Sequence, residues 1–393
     1  MVDELKPGVY FVGALHPDRR LFDKLIPLPD GTSYNSYLLV GSEKTALIDT
    51  VDPEKTEILL NNIDSVGPER IDYVIANHAE QDHSGSIPAV LERYPGAQVV
   101  CNQKCKGMLI DHLHIPEEKF YIIEDGQELS LGDKTLRFIF TPWVHWPETM
   151  STYLLEDKIL FSCDFFGAHI ALDGVFVEDK ERVYNSAKRY YAEIMMPFAI
   201  PIRKNLEILG GLEIDMIAPS HGQVYRDPSF IINAYNDWSS DIVRNVVMIP
   251  FISMHDSTRV AVDHLDRMLK QRGIKTLVYD LATADVGEIA MGLLDAATIV
   301  FGSPCFLSGI HPSVANAAFI INCLRPKTRF LSMVSSYGWG GRASGQLQEM
   351  LPLLKTEMLE PVLIKGLPHK EDLAAIEALS DKIKEKHDGG ALR

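Results

Sequence analysis

The chain has no apolar stretch near the twenty or so residues that cross a bilayer; its longest runs, such as YVIA (73–76) and ATIVF (297–301), are strand-sized. Its amino terminus, MVDELKPGVYFVG, has acidic residues where a secretory signal has a basic segment and then a long apolar one, so no signal peptide is expected and the location is read as cytoplasmic. Cysteine is scarce. The five residues Cys101, Cys105, Cys163, Cys305 and Cys323 are odd in number and scattered, which argues against a disulfide framework. Cys101 and Cys105 are spaced C-x3-C without a second Cys/His pair and are read as strand-end residues rather than ligands. Basic residues are in deficit, 38 against 54 acidic ones for a net charge of -16, and no basic run tracks a phosphate backbone. Nucleic acid and anionic membranes are therefore not expected as partners. Internal repeats, low-complexity tracts and a Gly/Ser linker are lacking too.

What is present is 46% apolar content over 393 residues, enough for two cores rather than one. Up to about residue 245 the pattern is many short strands with few helices, including a hairpin around Gly41-Ser42-Glu43. From Asn245 the rhythm changes to five strands alternating with five amphipathic helices, which predicts a doubly wound parallel sheet with its ligand site at the strands' carboxyl ends. The segment DPSFIINAYNDWSSDIVRN between them reads as helical.

The loop NHAEQDHSG places His78, Glu80, Asp82 and His83 just after the strand DYVIAN. In an extended loop residues 78, 80 and 82 share a face, and His83 turns to follow. Three later strands end the same way, delivering His145, Asp164 and His221. A lone histidine near a strand end is usually structural; seven ligand-type residues at four strand ends instead suit two metals. His78, Glu80 and His145 would hold one, Asp82, His83 and His221 the other, with Asp164 bridging. The mix of imidazole and carboxylate favours iron or zinc over a thiolate site. Cys163 is expected to point away from Asp164 if its strand stays regular. His112 and His114 are not expected to be ligands, and His169 stands behind the ligands at most.

In the second half, SMHDST precedes a helix, so Ser253, Met254, His255, Asp256, Ser257 and Thr258 can surround a phosphate at a helix N-terminus; the bland reading is an ordinary cap. The third strand ends in Pro304, Cys305, Phe306, Leu307 and Gly309, the fourth in Ser336, Tyr337, Gly338, Trp339 and Gly340. Small residues beside aromatics suit a flat ring, so three such loops point to a flavin cradle.

H-x-E-x-D-H resembles the H-x-H-x-D-H of the metallo-β-lactamase superfamily, with Glu80 at the second histidine. With His145, Asp164 and His221 in order and a flavodoxin-like second half, nearly the whole chain resembles the flavodiiron proteins. The resemblance implies an α/β multidomain fold: a metallo-β-lactamase-like αββα sandwich with a diiron site over residues 1–245, and a flavodoxin-like doubly wound five-stranded parallel sheet binding FMN over 246–393. It further implies two non-haem irons, reduction of O2 to water or of NO to N2O, an external donor (rubredoxin or a reduced deazaflavin coenzyme) and a head-to-tail homodimer or dimer of dimers. Members often carry Gly near Asp256 and Thr-Tyr-Asn at Cys305-Phe306-Leu307, and several have His at Asp23. Trp146 and Asp23 are candidate pocket residues. The alternatives are a zinc hydrolase with a flavodoxin-like accessory domain, and an electron carrier using FMN alone.

Overall fold

Alternating apolar residues in the first half build two sheets that bury their inner faces against each other. The computed structural model describes residues 2–390 and Leu392. The chain divides into two compact units, the first running to Tyr191 and resuming over Phe198–Ser239, the second comprising Ala192–Pro197 and the chain from Ser240 onward.

In the first unit a seven-stranded sheet has the order Asp3–Lys6, Val9–Phe11, Tyr37–Val40, Thr45–Ile48, Tyr73–Ile75, Gln98–Cys101, Phe120–Ile122. Its first four strands pair antiparallel and the rest parallel. The second sheet has the order Glu128–Ser130, Thr135–Phe140, Met150–Leu154, Ile159–Cys163, Met216–Pro219. Phe11, Tyr37, Ile48 and Ile75 from one sheet and Phe138, Met150, Phe161 and Ala218 from the other form one buried cluster, the middle of the sandwich. Leu47, Val74 and Val99 point to the outer face of the first sheet, where helical Leu59, Ile63, Val90 and Leu109 cover them.

The expectation of few helices before residue 245 is corrected. Helices span Thr56–Val66, Ile87–Arg93, Gln103–Leu113, Lys180–Tyr190, Ala199–Leu209 and Pro228–Ser239. The first shows why the period was masked: its buried stripe is Leu59, Asn62 and Ile63, and the polar Asn62 belongs there because its amide donates to the carbonyls of Val12 and Gly13 at 3.0 and 2.9 Å. Cys101 does end a strand, but Cys105 lies on the helix after it, and both are buried.

The second unit is a parallel sheet in the order Lys275–Asp280, Arg244–Phe251, Ala296–Phe306, Phe330–Tyr337, with Glu357–Met358 and Val362–Lys365 both pairing with the last. In chain order this is 2-1-3-4-5, the fifth strand broken before Pro361. The strand order reverses between the first and third strands, which places a ligand crevice at their carboxyl ends. Helices Ser257–Gln271 and Lys370–Gly389 cover one face through Val262, Leu265, Ile376 and Ile383. Among the described residues no helix is long and apolar enough to cross a membrane.

Candidate metal centre and flavin cleft

The seven ligand-type residues lie on segments that follow strands of the first unit: His78, Glu80, Asp82 and His83 after Tyr73–Ile75, His145 after Thr135–Phe140, Asp164 after Ile159–Cys163 and His221 after Met216–Pro219. The sequence suggested that His145 ends its strand; it is instead set off from the strand end by a turn. Asp49, just past Thr45–Ile48, accepts from the Asn77 backbone and side-chain N–H groups at 2.8 and 2.9 Å, and Asn77 accepts from Thr152 at 2.7 Å. Asn77 O accepts the Met150 N–H at 3.0 Å, joining the two sheets at the rim from which His78 departs. Glu80 is extended, but the chain then coils into a short helix, Gln81–Ser84. The loop is therefore not extended through Asp82, as the sequence suggested; the helical turn aims Asp82 and His83 away from His78 and Glu80.

The seven residues converge in two groups. His78 Nε2 lies 3.2 Å from Glu80 Oε2, and His145 Nε2 lies 3.3 Å from the same oxygen. His83 and His221 Nε2 each lie 3.3 Å from Asp82, on opposite oxygens. Asp164 faces both groups: Oδ2 is 3.5 and 3.3 Å from His78 and His145, Oδ1 is 3.0 and 3.5 Å from His83 and His221. Ser220 donates to Asp164 Oδ1 at 2.8 Å.

Electrostatics reflect this crowding. Burial alone lowers the histidine pKa values, but adjacent carboxylates reverse the effect, lifting His78 and His145 to about 10 and His83 to about 9. Burial acts to raise Glu80 and Asp164, yet the histidines hold both carboxyls below the usual range. Both Asp82 oxygens are buried without a hydrogen-bond partner, the nearest groups being His83 and His221 Nε2 at 3.3 Å. Buried polar groups are rarely left so, because each costs about 1–3 kcal/mol unless something takes the lone pair. Cations at the two foci would do so, and the donor set, four imidazoles and three carboxylates, fits two metal ions.

Cys163 departs from expectation. Its φ is 51° and the strand register shifts before it, so the strand is not regular there and the thiol lies with His83 and Asp164 instead of opposite them. Burial raises that thiol well above its ordinary pKa. Behind the ligands, His221 Nδ1 meets the Ser33 carbonyl at 2.6 Å and His78 Nδ1 meets Glu148 Oε1 at 2.7 Å. The sequence reading missed Glu148, Ser33 and Ser220; for Glu148 the one signal was an acid three residues beyond His145. His169 is buried, its ring 4.7 Å from that of His221, with Nδ1 3.0 Å from Thr32 Oγ1. Exposed His112 packs on Trp146, and His114 occupies a left-handed helix C-cap. Trp146 stands edge-on to His78 at 5.0 Å. Asp23 lies on an exposed segment, its carboxyl raised by partial burial and by Glu80 and Asp82.

In the second unit a cavity of ≈ 210 Å³ opens at the predicted strand ends. Ser253, Met254, His255, Ser257, Thr258, Pro304, Cys305, Ser336, Tyr337 and Gly338 line it; Asp256, Phe306, Leu307, Gly309, Trp339 and Gly340 do not. Asp256 is the N-cap of Ser257–Gln271 at φ 60°, turning the chain so that the helix N-terminus faces the cleft. Thr258 and Ser336 hydroxyls meet at 2.8 Å across its floor. The segment read as a loop after Pro304 is a hairpin, Phe306 pairing with Gly309 around Leu307 and Ser308 at φ 46° and 68°. Gly366, unforeseen, lines the cleft from the end of the fifth strand at φ 77°.

The two-sheet sandwich of the first unit and the 2-1-3-4-5 sheet of the second are those of a metallo-β-lactamase-like and a flavodoxin-like fold, which makes this an α/β multidomain protein. The family model described as "ODP family beta lactamase" matches residues 32–222. The chain is 36% identical over 385 residues to the nitric oxide reductase of Moorella thermoacetica, covering 96% of each. Its structure is similar to that of rubredoxin oxygen:oxidoreductase from Desulfovibrio gigas, with a TM-score of 0.95 at 29% identity over 99% of each chain. It is also similar to the flavodiiron protein from Giardia intestinalis, with a TM-score of 0.92 at 28% identity, covering 99% of this chain and 97% of the other. The chain belongs to the flavodiiron proteins.

Proposed function

We propose that this protein reduces O2 to water, NO to N2O, or both, with two irons in the first unit and FMN in the second. The observation that carries this reading is the paired geometry about Asp164, one carboxylate oxygen toward each histidine pair. His78, Glu80 and His145 hold one ion, Asp82, His83 and His221 the other, and Asp164 joins them. Bound iron supplies electrons and a Lewis-acidic seat for a diatomic molecule, and bound FMN takes electrons singly or in pairs.

The residues do the rest. Glu80 adds an oxygen donor where the hydrolases' pattern has imidazole, which suits an ion that changes oxidation state. Trp146, edge-on to His78, walls the approach to the first position, and Asp23 supplies an acid within electrostatic reach of Glu80 and Asp82. In the second unit the helix N-terminus with Ser253, Ser257 and Thr258 would hold the FMN phosphate, and Pro304, Cys305, Tyr337 and Gly338, which line the same cleft, would receive the ring.

Electrons come from an external donor, rubredoxin or a reduced deazaflavin coenzyme, in the cytoplasm. The working form is a head-to-tail homodimer or dimer of dimers. Its support is large apolar side chains left exposed on both units: Leu25, Trp143 and Ile200 are 55%, 47% and 62% exposed in the first, and Leu307, Trp339 and Leu367 are 78%, 70% and 60% exposed in the second. Metal and flavin analysis of anaerobically purified protein tests the assignment. Two irons and one FMN per chain, with iron lost in Asp164→Ala, support it; two zinc ions and no flavin return the hydrolase reading.

A further inference from the structure

The ligands divide evenly between the two positions, but the groups behind them do not. Glu148 Oε1 lies 2.7 Å from His78 Nδ1 and accepts the Ala79 N–H at 3.1 Å. Its side chain has no exposure, and its carbonyl accepts from Asn102 Nδ2 at 2.6 Å. Asn102 is itself fixed, capping the helix Gln103–Leu113 through the Lys104 and Cys105 N–H groups. Because Oε1 already takes the Ala79 N–H, it is an acceptor, and His78 Nδ1 must donate to it. Nε2 is left facing Glu80 and Asp164.

Among the described residues nothing equivalent stands behind the second position. His221 Nδ1 meets a neutral acceptor, the Ser33 carbonyl at 2.6 Å, and His83 Nδ1 has no hydrogen-bond partner. Asp49 acts on His83 and on His78, but its oxygens accept from Asn77. A carboxylate hydrogen-bonded to a ligating imidazole raises that ligand's basicity, and negative charge in a buried site favours the more highly charged metal. We propose that Glu148 is a positioning residue that fixes His78 as the Nδ1–H tautomer and makes the His78–Glu80–His145 position the first of the two to be oxidised. This inference rests on the diiron reading.

Glu148→Gln tests it, since the amide oxygen still accepts from Ala79 and His78 while the charge is gone. Iron- and FMN-loaded protein is titrated potentiometrically, with the irons followed by electron paramagnetic resonance. In the wild type two separated one-electron iron steps are expected; in Glu148→Gln the lower potential rises, the upper moves little and the gap narrows. Two irons per chain with an unchanged gap, or with both potentials shifted equally, overturns the inference and leaves the diiron reading intact. Wild-type protein that holds no iron overturns both. Should Glu148→Gln fail to fold, proton NMR of zinc-loaded wild type reads the tautomer directly. A slowly exchanging His78 Nδ1–H further downfield than that of His221 supports the inference, and a His78 proton on Nε2 overturns it.

Discussion

Loading the metal centre should release protons in a number set by the histidine cluster. With the carboxylates about them unneutralised, His78 and His145 titrate near 10 and His83 near 9. At pH 7 the neutral fraction of each is about 1% or less. A metal needs the Nε2 lone pair, so each of these imidazoles gives up its proton on binding. Glu80 and Asp164 contribute none, because the histidines already hold them ionised. Filling both positions therefore releases about three protons. The sign follows: protons compete with metal, so apparent affinity rises with pH, by about three log units per pH unit for the pair of ions, until the pH nears 9. Isothermal calorimetry with Zn2+, a redox-silent probe, in two buffers of different ionisation enthalpy measures the count. Release of fewer than about one proton, or an affinity flat between about pH 6.5 and 8, would refute the claim that carboxylates hold these three histidines charged.

The other expectations concern the cleft and the cores. Ser257→Glu places an anion in the first turn of Ser257–Gln271, a position that favours the helix but repels a phosphate; the protein should stay folded by circular dichroism while FMN occupancy falls at least about tenfold. Phe138→Ala empties a fully buried site between the sheets and should cost about 3–5 kcal/mol in denaturant unfolding. His387 lies buried between Thr298 Oγ1 at 2.7 Å and Asn245 Oδ1 at 2.8 Å, and burial lowers its pKa to about 4. Since the fold favours the neutral imidazole, its contribution is present above the unfolded value of about 6.5 and lost as pH falls toward 4, roughly 3 kcal/mol in all. His387→Gln should flatten that part of the pH–stability curve measured by urea unfolding.

The convergence of the ligand-type residues was the easiest feature to read, because such side chains must come soon after strand ends if several are to meet at one rim. Asp164 directly follows Ile159–Cys163, and His221, His78 and His145 come within a short turn of the ends of Met216–Pro219, Tyr73–Ile75 and Thr135–Phe140. The alternating second half was also legible: its buried strands are continuous apolar runs and its helices have clean stripes, as at Val262, Leu265 and Leu269. The helices of the first half were hidden where a polar residue occupies a buried position for a backbone contact no pattern reveals, as Asn62 does. Local backbone shape was hidden as well. Cys163 swings toward His83 and Asp164 through one positive φ, and Leu307 and Ser308 take left-handed conformations without a glycine to announce them. Glu148 escaped notice because its role depends on a partner 70 residues away, a separation sequence spacing does not encode.

Reduction of O2 or NO is measured by exposing anaerobic, chemically reduced protein of known iron and FMN content to each gas in parallel and following its loss. Rapid loss of one gas, or of both, with loss abolished in Asp164→Ala, is the predicted result. Protein with both irons and FMN in place that consumes neither gas would contradict it.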